Sequence, residues 1–128
     1  MATTNDFDAT FLALKKILKP YERRLVVQSD NDDNYFLVTK HIMKSKQPLW
    51  FAGVRKGKAY VSYHFIPIYA LPELARGMSP ELKKRMQGKG CFNFKNVDQK
   101  LFKELAQLTK IGLQKFSDPE LLRKITTR

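Results

Sequence analysis

Residues 79–94 read SPELKKRMQGKGCFNF, and this stretch carries the clearest local structural signal in the chain. Ser79 is a preferred helix N-cap residue, and Pro80 suits the first helical position because the N–H that proline lacks would have no helical partner there. Gly88 or Gly90 can end the helix in a left-handed conformation. The stretch therefore predicts a capped basic helix, a glycine break and a short aromatic strand.

The strongest β signal lies upstream, in two runs of alternating residues, Leu49–Arg55 and Lys58–Ile66, on either side of a Lys-Gly pair. A two-residue turn at that pair predicts a hairpin, although Lys-Gly is a weaker turn signal than Asn-Gly and a longer loop would shift the strand partners. The predicted core-face pairs are Val54 with Ala59, Ala52 with Val61 and Trp50 with Tyr63. The opposite face, mixed and only partly covered in this prediction, carries Leu49, Phe51, Gly53, Tyr60, Ser62 and His64.

The remaining segments complete the order of elements. Further helices are predicted from Asp6 or Asp8 to Pro20, after Asn96 and after Ser117, and further strands at Leu25–Val27 and Tyr35–Val38. The order α-β-β-β-β-α-β-α-α predicts an α+β fold, with a largely antiparallel sheet of about five strands and helices packed mainly on one face. A length of 128 residues fits a single domain over residues 1–128, because domains usually hold about 100–200 residues.

The charge of the chain is strongly positive. The chain has 24 Lys and Arg against 12 Asp and Glu, a net charge of +12. No acidic residue occurs between Asn34 and Pro72, whereas six Lys and Arg fall there. A field this positive draws anionic partners, with nucleic acid one candidate, although solubility alone explains the charge equally well.

The composition also predicts where in the cell the protein is found. No apolar run approaches the ~18 residues of a membrane span, and Met1–Lys16 lacks the pattern of a signal peptide. The single cysteine, Cys91, cannot form an internal disulfide. These features predict a cytoplasmic protein with no membrane partner and no cofactor.

Several motifs resemble catalytic or metal sites without completing one. Gln87–Gly90 is glycine-rich, but the Walker spacing is missing and the predicted helix precedes the glycines instead of following them. Cys91 has only His41 or His64 as candidate bases, and nothing in the spacing puts either beside it, so a buried structural thiol is predicted. Asp30–Asp33 lacks the calcium-loop pattern and predicts a solvated hairpin turn. No catalytic and no metal-binding residue is therefore predicted.

Basic residues interleave with aromatic residues from Lys46 to His64. Sheets that bind single strands combine stacking rings with cationic grooves, but rings at ordinary β spacing more often fill the space under helices. From this pattern the predicted ligand-binding residues are Arg55, Lys58, Tyr60, Ser62 and His64.

The run from Phe51 through Phe94 resembles the YdhG-like family of bacterial domains of unknown function. The residues that carry the resemblance are Val54-Arg55, Tyr60–His64, Pro67–Tyr69 and Ser79–Phe94, and helix 97–116 and Asp33–Tyr35 also fit. The resemblance implies a compact α+β domain in a bacterial cytoplasm, without established enzyme chemistry. The family motif adds Arg85, Lys89 and Asn93 to the predicted ligand-binding residues, provided that Cys91–Phe94 joins the sheet.

Some members of that family are described as frataxin-like iron chaperones. Iron delivery of that type depends on an exposed acidic ridge. The present chain departs from that pattern, since its first helix carries only Asp6 and Asp8 and its net charge is +12.

The leading functional hypothesis is a non-enzymatic binding module for an anionic ligand or acidic partner, nucleic acid included. One alternative is a frataxin-like metal-handling protein that uses Asp30, Asp32, Asp33 or His64. The other is an interaction protein that forms a homodimer through an incompletely covered sheet face. An enzyme is the weakest hypothesis, because no set of nucleophile, base and orienting group is visible.

Overall fold

The computed structural model describes residues 7–88 and 90–126. In these ranges the helices are α1 (Phe7–Leu18), α2 (Ile66–Ala70), α3 (Pro80–Arg85), α4 (Gln99–Phe116) and α5 (Pro119–Thr126), and 3-10 helices span Lys19–Arg24 and Pro72–Gly77. The strands in these ranges are β1 (Val26–Asp30), β2 (Asn34–Ile42), β3 (Pro48–Lys56), β4 (Val61–Phe65), β5 (Met86–Gln87) and β6 (Cys91–Phe94).

Within the described residues the strands form one antiparallel sheet of six strands in the order β1-β2-β3-β4-β6-β5. The α+β prediction is confirmed. The sixth strand arises because helix α3 ends at Arg85 and the chain enters β5 at once. Gly88 does adopt a left-handed φ of 72°, but it does so in the turn between β5 and β6 and not as a helix cap.

Helices α1 and α4 pack on one face of the sheet and enclose the core. Helix α1 buries Phe11, Leu14 and Leu18 there, and α4 approaches β4 so closely that a Cβ on Gly112 would lie 2.5 Å from Phe65 Cζ. The sheet contributes to this core Tyr35, Leu37, Leu49, Phe51, Ala52, Val54, Val61, Tyr63, Phe65, Phe92 and Phe94. The opposite side of the sheet is called the open face below.

The hairpin of β3 and β4 differs from the predicted one. Its loop is Gly57–Tyr60, closed by a hydrogen bond from the Gly57 N–H to the Tyr60 carbonyl oxygen, 3.0 Å. Val54 therefore pairs with Tyr63, and the predicted two-residue turn is wrong because Lys-Gly does not impose the tight turn that Asn-Gly favours.

A β-bulge changes which side chains of β3 face the core. Leu37 pairs with Ala52 and Val38 pairs with Trp50, so Phe51 is an extra residue on β3. The bulge lets Leu49 and Phe51 join the core and leaves Trp50 on the open face, with 42% of its surface exposed. The sequence predicted the opposite arrangement, with Trp50 on the core face and Leu49 and Phe51 on the other face, and that prediction is wrong.

Candidate functional site

The open face carries an aromatic strip built on a glycine. Phe36, Gly53 and His64 lie in one cross-strand row on β2, β3 and β4. A Cβ on Gly53 would lie 2.0 Å from Phe36 Cδ1, so the ring occupies the space above the glycine. From there its centroid lies 5.6 Å from the His64 ring and 5.3 Å from the Trp50 ring. We call Trp50, Phe36 and His64 the aromatic strip.

Two shallow grooves meet beside this strip and share Tyr60. The first has a volume of about 440 Å³ and is lined by Arg55, Gly57, Lys58, Ala59, Tyr60, Ser62 and His64. The second is lined by Tyr60, Lys84, Arg85, Met86, Gln87, Asn93 and Lys95. Together they are called the basic groove.

The basic groove brings together every predicted ligand-binding residue that the structure describes, namely Arg55, Lys58, Tyr60, Ser62, His64, Arg85 and Asn93. The remaining one, Lys89, lies outside the described residues. The groove also includes Lys84 and Lys95, which were not among the residues predicted from the sequence. Lys95 follows Asn93 at a spacing of two, one residue past the end of β6, so continuing the alternation of that strand could have indicated it.

A chain of hydrogen bonds orders the polar floor of the groove. Ser62 Oγ donates to Asn93 Oδ1 at 2.7 Å, and Asn93 Nδ2 donates to Gln87 Oε1 at 2.6 Å. This sequence of bonds fixes the orientation of both amides. Gln87 consequently uses its oxygen within the protein and keeps its amide N–H groups as donors.

The charge of the groove is unbalanced. The cations that line it are Arg55, Lys58, Lys84, Arg85 and Lys95. Among the described residues no carboxylate lines the groove, and none of these cations lies within 4.0 Å of one. Each cation is therefore available to an anionic ligand.

A larger cleft of about 500 Å³ lies elsewhere, and four of the five charged side chains that line it, all but Asp32, are already paired. Lys15 binds Asp30 at 2.7 Å there, and Lys56 lies 2.6 Å from Asp8 and 3.5 Å from Asp33. Ion pairs of this kind leave little net field to attract a further charged ligand. We therefore place the candidate site in the basic groove.

His64 and Cys91 are in contact, although the sequence did not predict it. Strand β6 lies beside β4 in a register that opposes the two residues, and Cys91 Sγ is 3.0 Å from His64 Nδ1. Burial and the Arg55 charge lower the pKa of His64, and burial raises the pKa of the Cys91 thiol. Both effects favour a neutral thiol beside a neutral imidazole, which is not the thiolate of an activated nucleophile.

Cys91 is also less buried than predicted. It is partly exposed, because it sits on the open face and not among the core residues of β6. The prediction of a buried thiol is therefore corrected to a half-buried one with a histidine partner.

The acidic cluster forms a hairpin turn, as the sequence predicted. Asn31 Oδ1 accepts hydrogen bonds from the N–H groups of Asp33 and Asn34, each 2.9 Å long. In the described ranges no group of three or more His, Cys, Asp or Glu side chains is placed to hold a metal ion.

No helix in the described part of the chain is both long and apolar enough to cross a membrane. Comparison of the chain with models of known protein families, with curated proteins and with solved structures finds no match. The resemblance to the YdhG-like family therefore remains a prediction.

Proposed function

We propose that this protein is a non-enzymatic binding module for an anionic ligand, which it holds in the basic groove. The observation that carries the proposal is the set of five cations that line the groove, with no carboxylate among the described lining residues. A cytoplasmic location and membership of the YdhG-like family are parts of the same proposal, and they rest on the sequence.

The groove offers an anion both charge and directed hydrogen bonds. Arg55 presents a planar guanidinium group, which suits the paired oxygens of a phosphate or carboxylate. Gln87 retains amide donors, and neutral His64 can donate from its ring. Since internal hydrogen bonds already order Ser62, Asn93 and Gln87, these side chains lose little entropy on binding.

The proposal is tested by measuring the binding of inorganic tripolyphosphate by calorimetry. Replacing Arg55, Lys58 and Arg85 with Glu reverses the groove charge, and we expect it to abolish binding while leaving the thermal midpoint nearly unchanged. The matched control replaces Lys103, Lys110 and Lys115, exposed residues of α4, with Glu. Both variants have the same net charge, so equal losses in the two would contradict a groove site.

The two alternatives receive less support. Iron handling would need a cluster of carboxylates, but Asp30 and Asp33 are each engaged by a lysine, and among the described residues no three His, Cys, Asp or Glu side chains are placed together to hold a metal ion. A homodimer through the open face would bury Trp50, yet it would also bring together the cations of two chains that each carry a charge of +12. Equilibrium dialysis against iron and sedimentation at rising concentration test these alternatives.

A further inference from the structure

Two members of the aromatic strip, Trp50 and Phe36, have no role in binding a small anion, because neither lines the basic groove. The strip adjoins the basic groove through His64, which belongs to both. Trp50 of the strip is 42% exposed and Tyr60 of the groove is 36% exposed, large values for aromatic side chains. A face that combines exposed rings with unpaired cations matches a ligand that combines flat apolar groups with negative charge.

The rings are held in place before any ligand arrives. Phe36 is seated on Gly53, and the Trp50 ring leans against Phe36 at a centroid distance of 5.3 Å and an angle of 55°. Trp50 also pairs across the sheet with Val38, which is 4% exposed. A ring fixed by such neighbours loses little freedom when a base stacks on it.

We propose that the open face binds single-stranded nucleic acid. Unpaired bases stack on Trp50 and Tyr60, and phosphates contact the five cations of the basic groove. This inference rests on the proposed function, because it names the anionic ligand of the same site. Duplexes fit it less well, since their bases are already stacked and only the backbone remains to be bound.

A second copy of the chain is a poorer occupant of this face. Two open faces in contact would oppose Arg55, Lys58 and their neighbours to the same cations. A polyanion, by contrast, gains from each of them and releases its counterions on binding. Charge complementarity therefore selects nucleic acid over self-association.

The test compares three probes with the full chain: a thymidine oligonucleotide of about 12 nucleotides, within the ~4–16 nucleotide range of single-strand sites, an abasic oligonucleotide of equal length, and a duplex. Trp50 is the only tryptophan, so its fluorescence reports stacking directly. We expect the thymidine strand to bind most tightly and to quench this fluorescence. Trp50→Ala and Tyr60→Ala should each weaken binding by about 5-fold to about 150-fold, whereas Trp50→Phe should retain most of it.

The matched control is Ile111→Ala, which removes an apolar side chain of α4 that is also 42% exposed. Its binding should equal that of the unmodified chain. The inference is overturned if the abasic strand or the duplex binds as tightly as the thymidine strand, or if Trp50→Ala leaves affinity unchanged. In those cases tripolyphosphate binding can still hold, so the proposed function survives. Loss of binding to every probe, tripolyphosphate included, would remove both.

Discussion

Cys91 Sγ lies 3.0 Å from His64 Nδ1, although the two residues are 27 positions apart in the sequence. The contact joins β6 to β4 on the open face, next to Phe36 and the basic groove. Thiol and imidazole in contact often form a reactive ion pair. Here burial acts against both charges, so the pair is neutral and its chemistry is that of a hydrogen bond.

Alkylation of Cys91 tests this state. Because burial raises the pKa of the thiol above its ordinary value of 9.0, the rate of reaction with iodoacetamide should rise with pH to a midpoint above that value. The same chain unfolded in urea is the control, since Cys91 is its only cysteine. A midpoint below that of the unfolded chain would indicate a thiolate and imidazolium pair instead.

Because the Phe36 ring occupies the space above Gly53, folding stability should be unusually sensitive to substitution of this glycine. Gly53→Ala places a methyl group where the ring lies, at 2.0 Å, and should cost about 1–3 kcal/mol in urea unfolding. Gly77→Ala is the control, because a Cβ there meets nothing within 4 Å, and its effect should stay within about 0.5 kcal/mol.

Adding Phe36→Leu to Gly53→Ala should relieve part of this cost, since the smaller side chain vacates the same space. The double variant should therefore be more stable than the sum of the two single changes predicts. Strict additivity would mean that the ring does not rest on the glycine.

Ligand affinity should depend on pH through His64. Its pKa is lowered by burial and by Arg55, so the imidazole is neutral at neutral pH. A bound anion favours the protonated ring, and affinity for the thymidine oligonucleotide should therefore increase as pH falls from about 7.5 to about 5.5. Cys91 faces the same ring but stays protonated over this range, because its pKa is raised.

His64→Asn should flatten that pH profile, whereas the same change at His41, the only other histidine, should preserve it. Phosphodiester groups do not titrate in this range, so the ligand adds no slope of its own. A profile that is unchanged in His64→Asn would remove His64 from the site.

Stability should fall in acid through Glu22. The Tyr35 hydroxyl donates a hydrogen bond to Glu22 Oε2 and lowers the pKa of that carboxyl below its ordinary 4.5. As pH falls, Glu22 therefore takes up a proton in the unfolded chain before it does so in the folded chain. The contribution of Glu22 to folding stability is complete above about pH 4.5 and is lost as pH falls through its lower pKa in the folded chain.

Tyr35→Phe removes this bond from a fully buried ring and should cost about 0.5–1.5 kcal/mol at pH near 7, because the Glu22 carboxylate it leaves is solvated and paired with Lys19, with a smaller difference near pH 3. Urea titrations at both pH values measure it. Tyr69→Phe, at a ring that is 63% exposed, should have almost no effect at either. An equal loss at both pH values would show that Glu22 is not the partner that titrates.

Salt should weaken oligonucleotide binding steeply. Each phosphate contact to a single strand contributes about 0.7 to the slope of log affinity against log salt, so five contacts give about −3.5. Replacing Arg55 and Lys58 with Ala should make the slope shallower by about 1.4, since two contacts are lost. Anisotropy over a salt series measures both slopes, and an identical slope in the variant would place those two cations outside the interface.

Features set by local chemistry could be predicted from the sequence. Ser79 caps α3 as expected, with the Leu82 N–H 3.2 Å from its hydroxyl oxygen, because capping needs only neighbouring residues. The order of strands and helices apart from β5, and the face of Gly53, Ser62 and His64, follow from spacing in the same way.

Features set by strand pairing could not be predicted from the sequence. The bulge at Phe51 depends on how β3 meets β2, and it reversed the faces of Leu49 and Trp50. The contact of His64 with Cys91 needs the register of β4 against β6, which no local pattern encodes. Lys84 joined the groove for a similar reason, since its place depends on where α3 docks.

Helix α3 spans only Pro80–Arg85, too short to persist alone in water. Its first residues are hydrogen-bonded to α4, because the Ser79 N–H and hydroxyl each donate a hydrogen bond of 2.7 Å to the carboxylate of Glu104 on that helix. Its end passes directly into β5 without a hinge. The wall of the groove that presents Lys84 and Arg85 is thus held at both ends, and an acidic side chain of the neighbouring helix α4 sets the position of its positive charge.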